Sequence, residues 1–179
     1  MNKETNILEL FFNEPTKHWH FEEILKAAHI SRPQAANWLR KGIPEGIITK
    51  TKPKGEQPYY TANYLNPHYQ IKKRLFALEM LEKVGFLSHL NSLPKARTVI
   101  LFGSISRWDW HKDSDIDVLI YGDPAGLELY KYRIALHREI EPFICKDDQE
   151  LKKFNPALLH NVAGGYLIKG SLDFMKVVA

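Results

Sequence analysis

The stretch "LFGSISRWDWHKDSDIDVLIYG", residues 101–122, contains a glycine-serine turn between two apolar runs. The first run is rich in β-branched and aliphatic residues and ends at Gly103 and Ser104, which predicts a strand followed by a turn. The second run begins directly after Asp115 and contains Asp117. We therefore expect two successive strands, with polar residues at the turn between them and at the start of the second strand.

Asp115 and Asp117 are two positions apart on the second predicted strand. Because side chains on a strand alternate with a period of two, we expect both carboxylates on one face. Two like charges this close repel each other unless a cation lies between them, and hard oxygen ligands suit Mg²⁺ or Mn²⁺. The pattern predicts a metal site at these two residues, and the alternative is a pair of solvated carboxylates at a strand edge.

Gly103 and Ser104 follow the first predicted strand, where we expect them to open a helix. At such a position, backbone N–H groups and a hydroxyl can meet phosphate oxygens. The simpler alternative for Ser104 is a helix N-cap. A phosphate site beside a metal site is what phosphoryl or nucleotidyl transfer requires.

The segment "FGSISRWDWHKDSDIDVLI" resembles the signature of the DNA polymerase beta-like nucleotidyltransferases, especially the minimal nucleotidyltransferases. In that family, Gly-Ser is followed about ten residues later by Ser-Asp-hydrophobic-Asp. The resemblance covers roughly the second half of the chain. It implies a mixed sheet with flanking helices, Mg²⁺ or Mn²⁺ as cofactor and a nucleoside triphosphate as substrate. The reaction it implies is transfer of a nucleoside monophosphate to an acceptor hydroxyl of RNA, a protein or a small molecule.

The resemblance also implies roles for individual residues. Gly103, Ser104 and Arg107 match the positions that bind the nucleotide phosphates. Asp115 and Asp117 match the catalytic carboxylates that ligate the metal.

Two positions depart from the family's pattern. The third catalytic carboxylate of the family is usually an aspartate on a later strand, and here the matching residue is Glu141, at the start of the predicted strand "EPFIC". A glutamate can accept the hydroxyl proton or complete a metal site, although its extra methylene displaces the carboxylate. Trp108 stands where many relatives have a small residue.

Before residue 64, three short helical patterns precede a predicted β-hairpin. The third pattern, "ISRPQAANWLRKG", has Ser31 as a possible cap, Pro33 in the first turn and Gly42 at its end, which indicates a helix. The stretch "IITKTKPKGEQPYYTAN" predicts two strands joined by a Lys-Pro-Lys-Gly turn. Three short helices and a hairpin are typical of a winged helix-turn-helix.

A winged helix-turn-helix of this kind predicts nucleic-acid binding, most simply of DNA. Arginine, glutamine and asparagine side chains read base edges, while lysines of the hairpin contact phosphates. The candidate residues are Arg32, Gln34, Asn37 and Lys41 on the third helix and Lys50, Lys52 and Lys54 on the hairpin. The alternative is a winged helix that only contacts proteins.

We therefore predict an α+β protein in which a winged helix-turn-helix precedes a polymerase-beta-like nucleotidyltransferase domain with a mixed sheet flanked by helices. The predicted domains are the winged helix-turn-helix at residues 1–64, a connecting helix at 65–96 and the nucleotidyltransferase domain at 97–179. In the last domain, strands alternate with helices, one of them predicted over residues 124–140.

The composition of the 179 residues, 44% hydrophobic and 26% charged, is that of a globular chain rather than a disordered or membrane chain. Cys145 is the only cysteine, which excludes an intramolecular disulfide and a cysteine-based zinc site. An apolar stretch near the start is short and contains Glu9, so we expect neither a signal peptide nor a membrane span. We therefore expect the protein in the cytoplasm. The net charge of +4 weakly favours a polyanionic partner.

A function of a different class is also open. The chain can be a DNA-binding transcriptional regulator, or an antitoxin-like protein, whose nucleotidyltransferase domain is catalytically weak and senses nucleotide. Winged helices commonly act as dimers, which predicts a homodimer. Minimal nucleotidyltransferases often work with a HEPN-type partner, so such a partner is a further expectation, whereas a membrane partner is not expected.

Overall fold

The computed structural model describes residues 3–177 and divides the chain into two compact units. The first unit contains the chain up to Lys73 together with Trp110–Lys112, and the second contains Arg74–Asp109 and the chain from Asp113 onward. The division between Lys73 and Arg74 falls inside a helix. The predicted domain limits at residues 64 and 96 remain a prediction.

Helices and a small antiparallel sheet form the first unit. Its helices are α1 (Lys3–Asn13), α2 (Phe21–Ala28) and α3 (Arg32–Gly42). Its strands are β1 (Trp19–His20), β2 (Ile48–Thr51) and β3 (Tyr59–Ala62), in the order β1-β3-β2. The predicted hairpin is thus present as β2 and β3, while β1 was not predicted because a strand of two residues leaves no alternating pattern.

The start of α3 is fixed by local chemistry that the sequence shows. The side-chain oxygen of Gln34 accepts hydrogen bonds from the backbone N–H of Ser31 at 3.1 Å and from its hydroxyl at 3.0 Å. Pro33 lies in the first turn, where its missing N–H is not needed. Ala35 and Leu39 face inward, at 0% and 3% exposure. The third helix therefore forms with the predicted cap and the predicted buried face.

Aromatic side chains fill the core of the first unit. Phe11 stacks on Trp38 with ring centres 5.9 Å apart. Phe12 contacts the rings of Tyr69 and Trp110 edge-on, at 5.3 Å and 6.1 Å. The buried hydroxyl of Tyr69 donates a hydrogen bond to the carbonyl of Phe11 at 2.9 Å. Trp110 is fully buried, so the segment Trp110–Lys112 is an integral part of this core.

The predicted connecting helix is two helices. The first, α4, spans Pro67–Lys83, and the second, α5, spans Phe86–Asn91. Gly85 lies between them with φ of +77°, a left-handed conformation that glycine adopts at no steric cost. The apolar periodicity continues across this break, which is why the sequence pattern indicated a single helix.

A four-stranded mixed sheet forms the centre of the second unit. The strands are β4 (Ala96–Phe102), β5 (Ile116–Gly122), β6 (Ile140–Cys145) and β7 (Tyr166–Lys169), in the order β6-β5-β4-β7. Strand β4 is antiparallel to β5 and β7, whereas β6 is parallel to β5. The flanking helices are α6 (Gly103–Ser106), α7 (Tyr130–Leu136), α8 (Asp148–Leu151) and α9 (Pro156–Ala163), followed by a 3₁₀ helix (Asp173–Val177). The predicted α+β architecture with a mixed sheet is confirmed.

The two central strands, β4 and β5, are buried along most of their length. Ile100 and Leu119 belong to a core cluster that includes Leu151 of α8 and Leu159 and Val162 of α9. Strands covered on both faces read as continuous apolar runs, which is how β4 and β5 appear in the sequence. Asp117 is the acidic residue of these two strands, and it lies at the end of the sheet where β4 ends and β5 begins.

In the second unit, one helix is shorter than predicted and one edge strand was not predicted. The helix predicted over residues 124–140 spans only Tyr130–Leu136. Residues 124–129 form a turn and irregular chain, and the helix ends at His137, whose φ is +51°. Strand β7 was not predicted, since it has four residues and lies at a sheet edge. No helix in the described part of the chain has the length and apolar character needed to cross a bilayer.

Candidate active site

The turn after β4 brings its backbone against a carboxylate of β5. Phe102, the last residue of β4, pairs with Asp117 in the antiparallel register. Gly103 follows with φ of +73°, and a Cβ built on it would overlap Oδ2 of Asp117 and lie 3.0 Å from Cγ. A side chain at this position is therefore excluded both by backbone conformation and by space.

Glu141 lies beside Asp117 on the neighbouring strand. The parallel register of β5 and β6 pairs these two residues directly. Side chains at paired positions project from the same face, and adjacent strands are about 4.8 Å apart. Glu141 is the second residue of β6 and is exposed, whereas Asp117 is half-buried. The sheet thus brings together two carboxylates that are distant in the sequence.

Asp115 differs from its predicted position on a strand. Strand β5 begins at Ile116, whose N–H donates a hydrogen bond to the carbonyl of Glu139 at 3.0 Å, and Asp115 precedes it in irregular, exposed chain. Asp115 still lies close enough for its charge to raise the pKa of Asp117. The strand alternation that suggested a common face therefore does not apply to Asp115, although the two charges are neighbours.

The environment of Asp117 favours its neutral form. Burial raises the pKa of this carboxyl, and the charges of Glu141 and Asp115 raise it further. The positive charge of Arg107 acts in the opposite direction and lowers it. The site therefore has three carboxylates and one guanidinium nearby. Its net charge is negative, and a bound cation would reduce the repulsion between the carboxylates.

The donor set fits a Mg²⁺ or Mn²⁺ ion held jointly with a substrate. Among residues 3–177, there is no group of three or more histidine, cysteine, aspartate or glutamate residues arranged to hold a metal ion. Mg²⁺, however, is usually bound through one or two carboxylates together with water and substrate phosphates. Asp117 and Asp115 supply hard oxygen ligands of that kind, so they could hold the ion when phosphate oxygens complete its shell.

The helix after the turn, α6, is a single turn of four residues. Its N-cap is Phe102, so the simple N-cap interpretation of Ser104 is wrong. The carbonyl of Ser104 accepts a hydrogen bond from the N–H of Arg107 at 3.1 Å, and the hydroxyl of Ser106 donates to the carbonyl of Gly103 at 2.9 Å. These bonds close the turn on itself and leave the Ser104 side chain part-exposed.

Arg107 binds a carboxylate that the sequence reasoning missed. Its Nε and Nη2 donate to Oδ1 and Oδ2 of Asp109 at 3.1 Å and 2.9 Å. The carbonyl of Arg107 accepts a hydrogen bond from Nε of Arg74 at 3.3 Å. A phosphate that binds Arg107 would therefore compete with Asp109 for the same two N–H groups. The i to i+2 spacing of Arg107 and Asp109 was the available signal. Trp108, between them, is half-buried.

Some of the residues predicted to bind nucleic acid in the first unit already form hydrogen bonds or ion pairs within the chain, and others do not. Arg32 pairs with Glu22 at 2.6 Å, Gln34 holds the cap at Ser31, and Asn37 accepts a hydrogen bond from Arg40 at 3.3 Å. The lysine candidates are exposed, and they are Lys41, Lys50, Lys52 and Lys54. Arg32, Gln34 and Asn37 thus have intramolecular partners, whereas the four lysines are exposed to solvent.

Comparison with protein-family models finds a match that lies within the second unit. Residues 87–171 match the family model described as "Polymerase beta, Nucleotidyltransferase". The match includes all four strands of the mixed sheet and the residues Gly103, Asp117 and Glu141. No curated protein and no solved structure matches the chain. The family match supports a nucleotidyltransferase activity in general terms.

Proposed function

We propose that the chain is a Mg²⁺- or Mn²⁺-dependent nucleotidyltransferase that transfers a nucleoside monophosphate from a nucleoside triphosphate to an acceptor hydroxyl. The acceptor belongs to RNA, a protein or a small molecule. The observation that carries the proposal is the position of Asp117, which lies against Gly103 of the turn and directly beside Glu141. The match of residues 87–171 to the polymerase beta nucleotidyltransferase family supports it.

Each residue of the site has a role in this proposal. Asp115 and Asp117 hold the divalent ion, which when bound neutralises negative charge on the phosphates. The N–H groups of the turn at Gly103 and the hydroxyl of Ser104 donate hydrogen bonds to phosphate oxygens. Arg107 exchanges Asp109 for a phosphate, whose oxygens match the same planar pair of donors.

The chemical step makes one bond and breaks one. The acceptor oxygen forms a bond to the α-phosphorus while the bond from that phosphorus to the pyrophosphate oxygen breaks, and pyrophosphate leaves with the electron pair. The proton of the acceptor hydroxyl goes to a carboxylate, for which we propose Glu141. An exposed carboxylate beside Asp117 can receive a proton from an acceptor that approaches from solvent.

The proposal is tested by label transfer. Purified full-length protein is incubated with each α-³²P-labelled nucleoside triphosphate and Mg²⁺, with total RNA and total protein as acceptors. The matched pair of variants is Asp117→Asn and Asp123→Asn, since Asp123 is an exposed carboxylate of the same unit that pairs with Lys95 at 3.6 Å. We expect label in an acceptor with the wild type and with Asp123→Asn, and none with Asp117→Asn. Equal labelling by both variants would overturn the assignment of Asp117.

We also propose that the first unit is a winged helix-turn-helix that binds nucleic acid, most simply DNA. The exposed lysines on and beside β2, Lys50, Lys52 and Lys54, support this, because among residues 3–177 none of them forms an ion pair with a carboxylate. Uncompensated cations on an exposed hairpin suit a phosphate backbone.

One observation favours a second function, that of a DNA-binding regulator or antitoxin-like protein that senses nucleotide without transferring it. Glu141 stands where polymerase-beta-like nucleotidyltransferases usually have an aspartate, and its extra methylene displaces the carboxylate. The same assay separates the two functions. A regulator binds the labelled triphosphate and transfers no label, and Asp117→Asn then weakens triphosphate binding while DNA affinity is unchanged.

A further inference from the structure

The first unit contains a cavity whose lining shares only Lys50 with the proposed nucleic-acid contacts. It lies between α2, α3 and the small sheet, with a volume of about 300 Å³. Cavities that bind small molecules start at about this size. Seven residues line it: Phe21, Ala36, Leu39, Arg40, Ile43, Lys50 and Tyr60. We propose that this cavity binds a compact aromatic carboxylate.

The floor of the cavity is apolar and partly aromatic. Leu39 and Tyr60, which line it, are almost fully buried, at 3% and 8% exposure. Ile43 remains 38% exposed, which is high for a large aliphatic side chain beside a cavity. The rings of Phe21 and Tyr60 both line the space. A planar aromatic group that packs against these side chains would remove apolar surface, including that of Ile43, from water.

The charge of the lining has one sign. Arg40 and Lys50 are the charged residues among the seven, and both are positive. Within residues 3–177, neither forms an ion pair with a carboxylate. Arg40 uses Nη2 in a hydrogen bond to Asn37 at 3.3 Å, and the Lys50 ammonium lies 5.7 Å from the centre of the Tyr60 ring. Two cations beside apolar and aromatic side chains complement a ligand with an apolar body and a carboxylate.

Other anions match this lining less well. A nucleic-acid backbone is anionic, but its phosphates would contact the two cations and leave the apolar floor exposed to water. Inorganic phosphate has the charge without the apolar body. The aromatic carboxylate is the class that uses both halves of the lining, and its site is separate from the carboxylates of the second unit.

The test uses the full chain and 2-naphthoate as probe. Binding is measured by calorimetry beside two reference compounds, the neutral 2-acetylnaphthalene and inorganic phosphate. We expect saturable binding of one 2-naphthoate per chain, at least about tenfold tighter than either reference compound, because only 2-naphthoate engages both the cations and the apolar floor. Absence of saturable binding, or equal affinity for 2-acetylnaphthalene, would overturn the proposal.

Three variants locate the binding. Ala36→Leu fills the cavity from an exposed helical position, and Lys50→Gln removes one cation while keeping most of the side-chain length. The control is Lys26→Gln, an exposed lysine of α2 that does not line the cavity. We expect the first two variants to weaken 2-naphthoate binding by about tenfold and the control to leave it unchanged, with circular dichroism verifying that all three fold.

A last measurement distinguishes a small-molecule site from a nucleic-acid surface. Affinity for a short DNA duplex is measured for the wild type and Ala36→Leu. If Ala36→Leu binds 2-naphthoate like the wild type but loses affinity for the duplex, the cavity belongs to a nucleic-acid interface and the proposal is wrong.

Discussion

The carboxylate of Asp117 lies so close to Cα of Gly103 that any side chain at residue 103 would overlap Oδ2. Strand β4 delivers the glycine and strand β5 delivers the aspartate, since Phe102 and Asp117 are partners in the register. The turn that is proposed to bind phosphate and the carboxylate that is proposed to bind metal are therefore in contact. A side chain added at residue 103 would therefore displace the carboxylate of Asp117.

Gly103→Ala is expected to lower the free energy of unfolding by more than conformational strain alone. Gly85→Ala is the matched control, because Gly85 has a similar φ of +77° and no atom within 4 Å of the added Cβ. Both variants carry the strain of a left-handed residue, and only Gly103→Ala adds a clash, worth roughly 1–3 kcal/mol. Urea unfolding of the two variants measures the difference. Equal losses would mean that Asp117 moves aside freely.

The stability of the protein is expected to depend on the ionisation of Asp117. Its pKa is raised in the folded state by burial, Glu141 and Asp115. Protonation therefore favours the folded state, and the stabilisation is present below the usual pKa of 3.8 and lost as pH rises through the raised pKa.

Asp117→Asn removes this ionisation. As pH rises from about 4 to 7, we expect the Tm of the variant to rise relative to that of the wild type. The shift should be about 2–4 °C for each kcal/mol of unfolding free energy that the wild type loses by ionising Asp117. Calorimetric scans without divalent cation, at several pH values, measure it. A difference between variant and wild type that does not change with pH would contradict the prediction.

Glu141→Gln is expected to reduce nucleotidyl transfer by about 10²–10⁴-fold with little change in KM for the triphosphate. The reason is that glutamine keeps the shape of the side chain but cannot accept the hydroxyl proton. Glu139→Gln serves as control, because Glu139 is exposed on the same segment and pairs with Arg133 at 3.3 Å. Steady-state kinetics of both variants measures the effect. If the transfer rate of Glu141→Gln is within about twofold of the wild-type rate, Glu141 is not the proton acceptor.

Trp110→Ala is expected to destabilise the first unit by about 3–5 kcal/mol, the usual cost of removing a buried tryptophan. Trp110 is fully buried, contacts Phe12 and lies 4.6 Å below the Lys73 ammonium. Trp108→Ala is the comparison, since Trp108 is only half-buried, and a smaller loss is expected. Denaturant unfolding followed by far-UV circular dichroism measures both. If Trp108→Ala costs as much as Trp110→Ala, burial does not explain the effect.

The hairpin lysines are expected to contribute to nucleic-acid affinity through phosphate contacts. In the double variant Lys52→Ala, Lys54→Ala, the slope of log K against log salt for duplex binding should fall in magnitude by about 2. The sequence preference should not change, because phosphate contacts carry no base information. Fluorescence anisotropy at several salt concentrations gives the slope, with Lys26→Ala as the reference. An unchanged slope would exclude these two lysines from the interface.

The sequence was sufficient where one local pattern decides the structure. The cap at Ser31 and Gln34, the hairpin strands and the two apolar runs of β4 and β5 follow from residue types that are close together in the chain. Gly103, Asp117 and Glu141 were also assigned to one site from the sequence, because the family resemblance implies that residues at these positions lie together.

The remaining features depend on tertiary packing. The start of β5 at Ile116 leaves Asp115 outside the strand, and only the pairing with β6 sets that limit. The Arg107–Asp109 contact depends on the conformation of the chain between the two residues, which their i to i+2 spacing alone does not determine. The inclusion of Trp110–Lys112 in the first unit depends on a core built mainly from residues before Lys73.

Strand β6 lies at the edge of the sheet in the described part of the chain, and Pro142 follows Glu141 on it. Proline has no N–H to offer a further strand, and a charged residue beside it also opposes edge-to-edge association. The flank next to Glu141 is therefore protected against sheet extension and stays open to solvent. In the proposed reaction, this edge of the sheet therefore sets no size limit of its own on the acceptor.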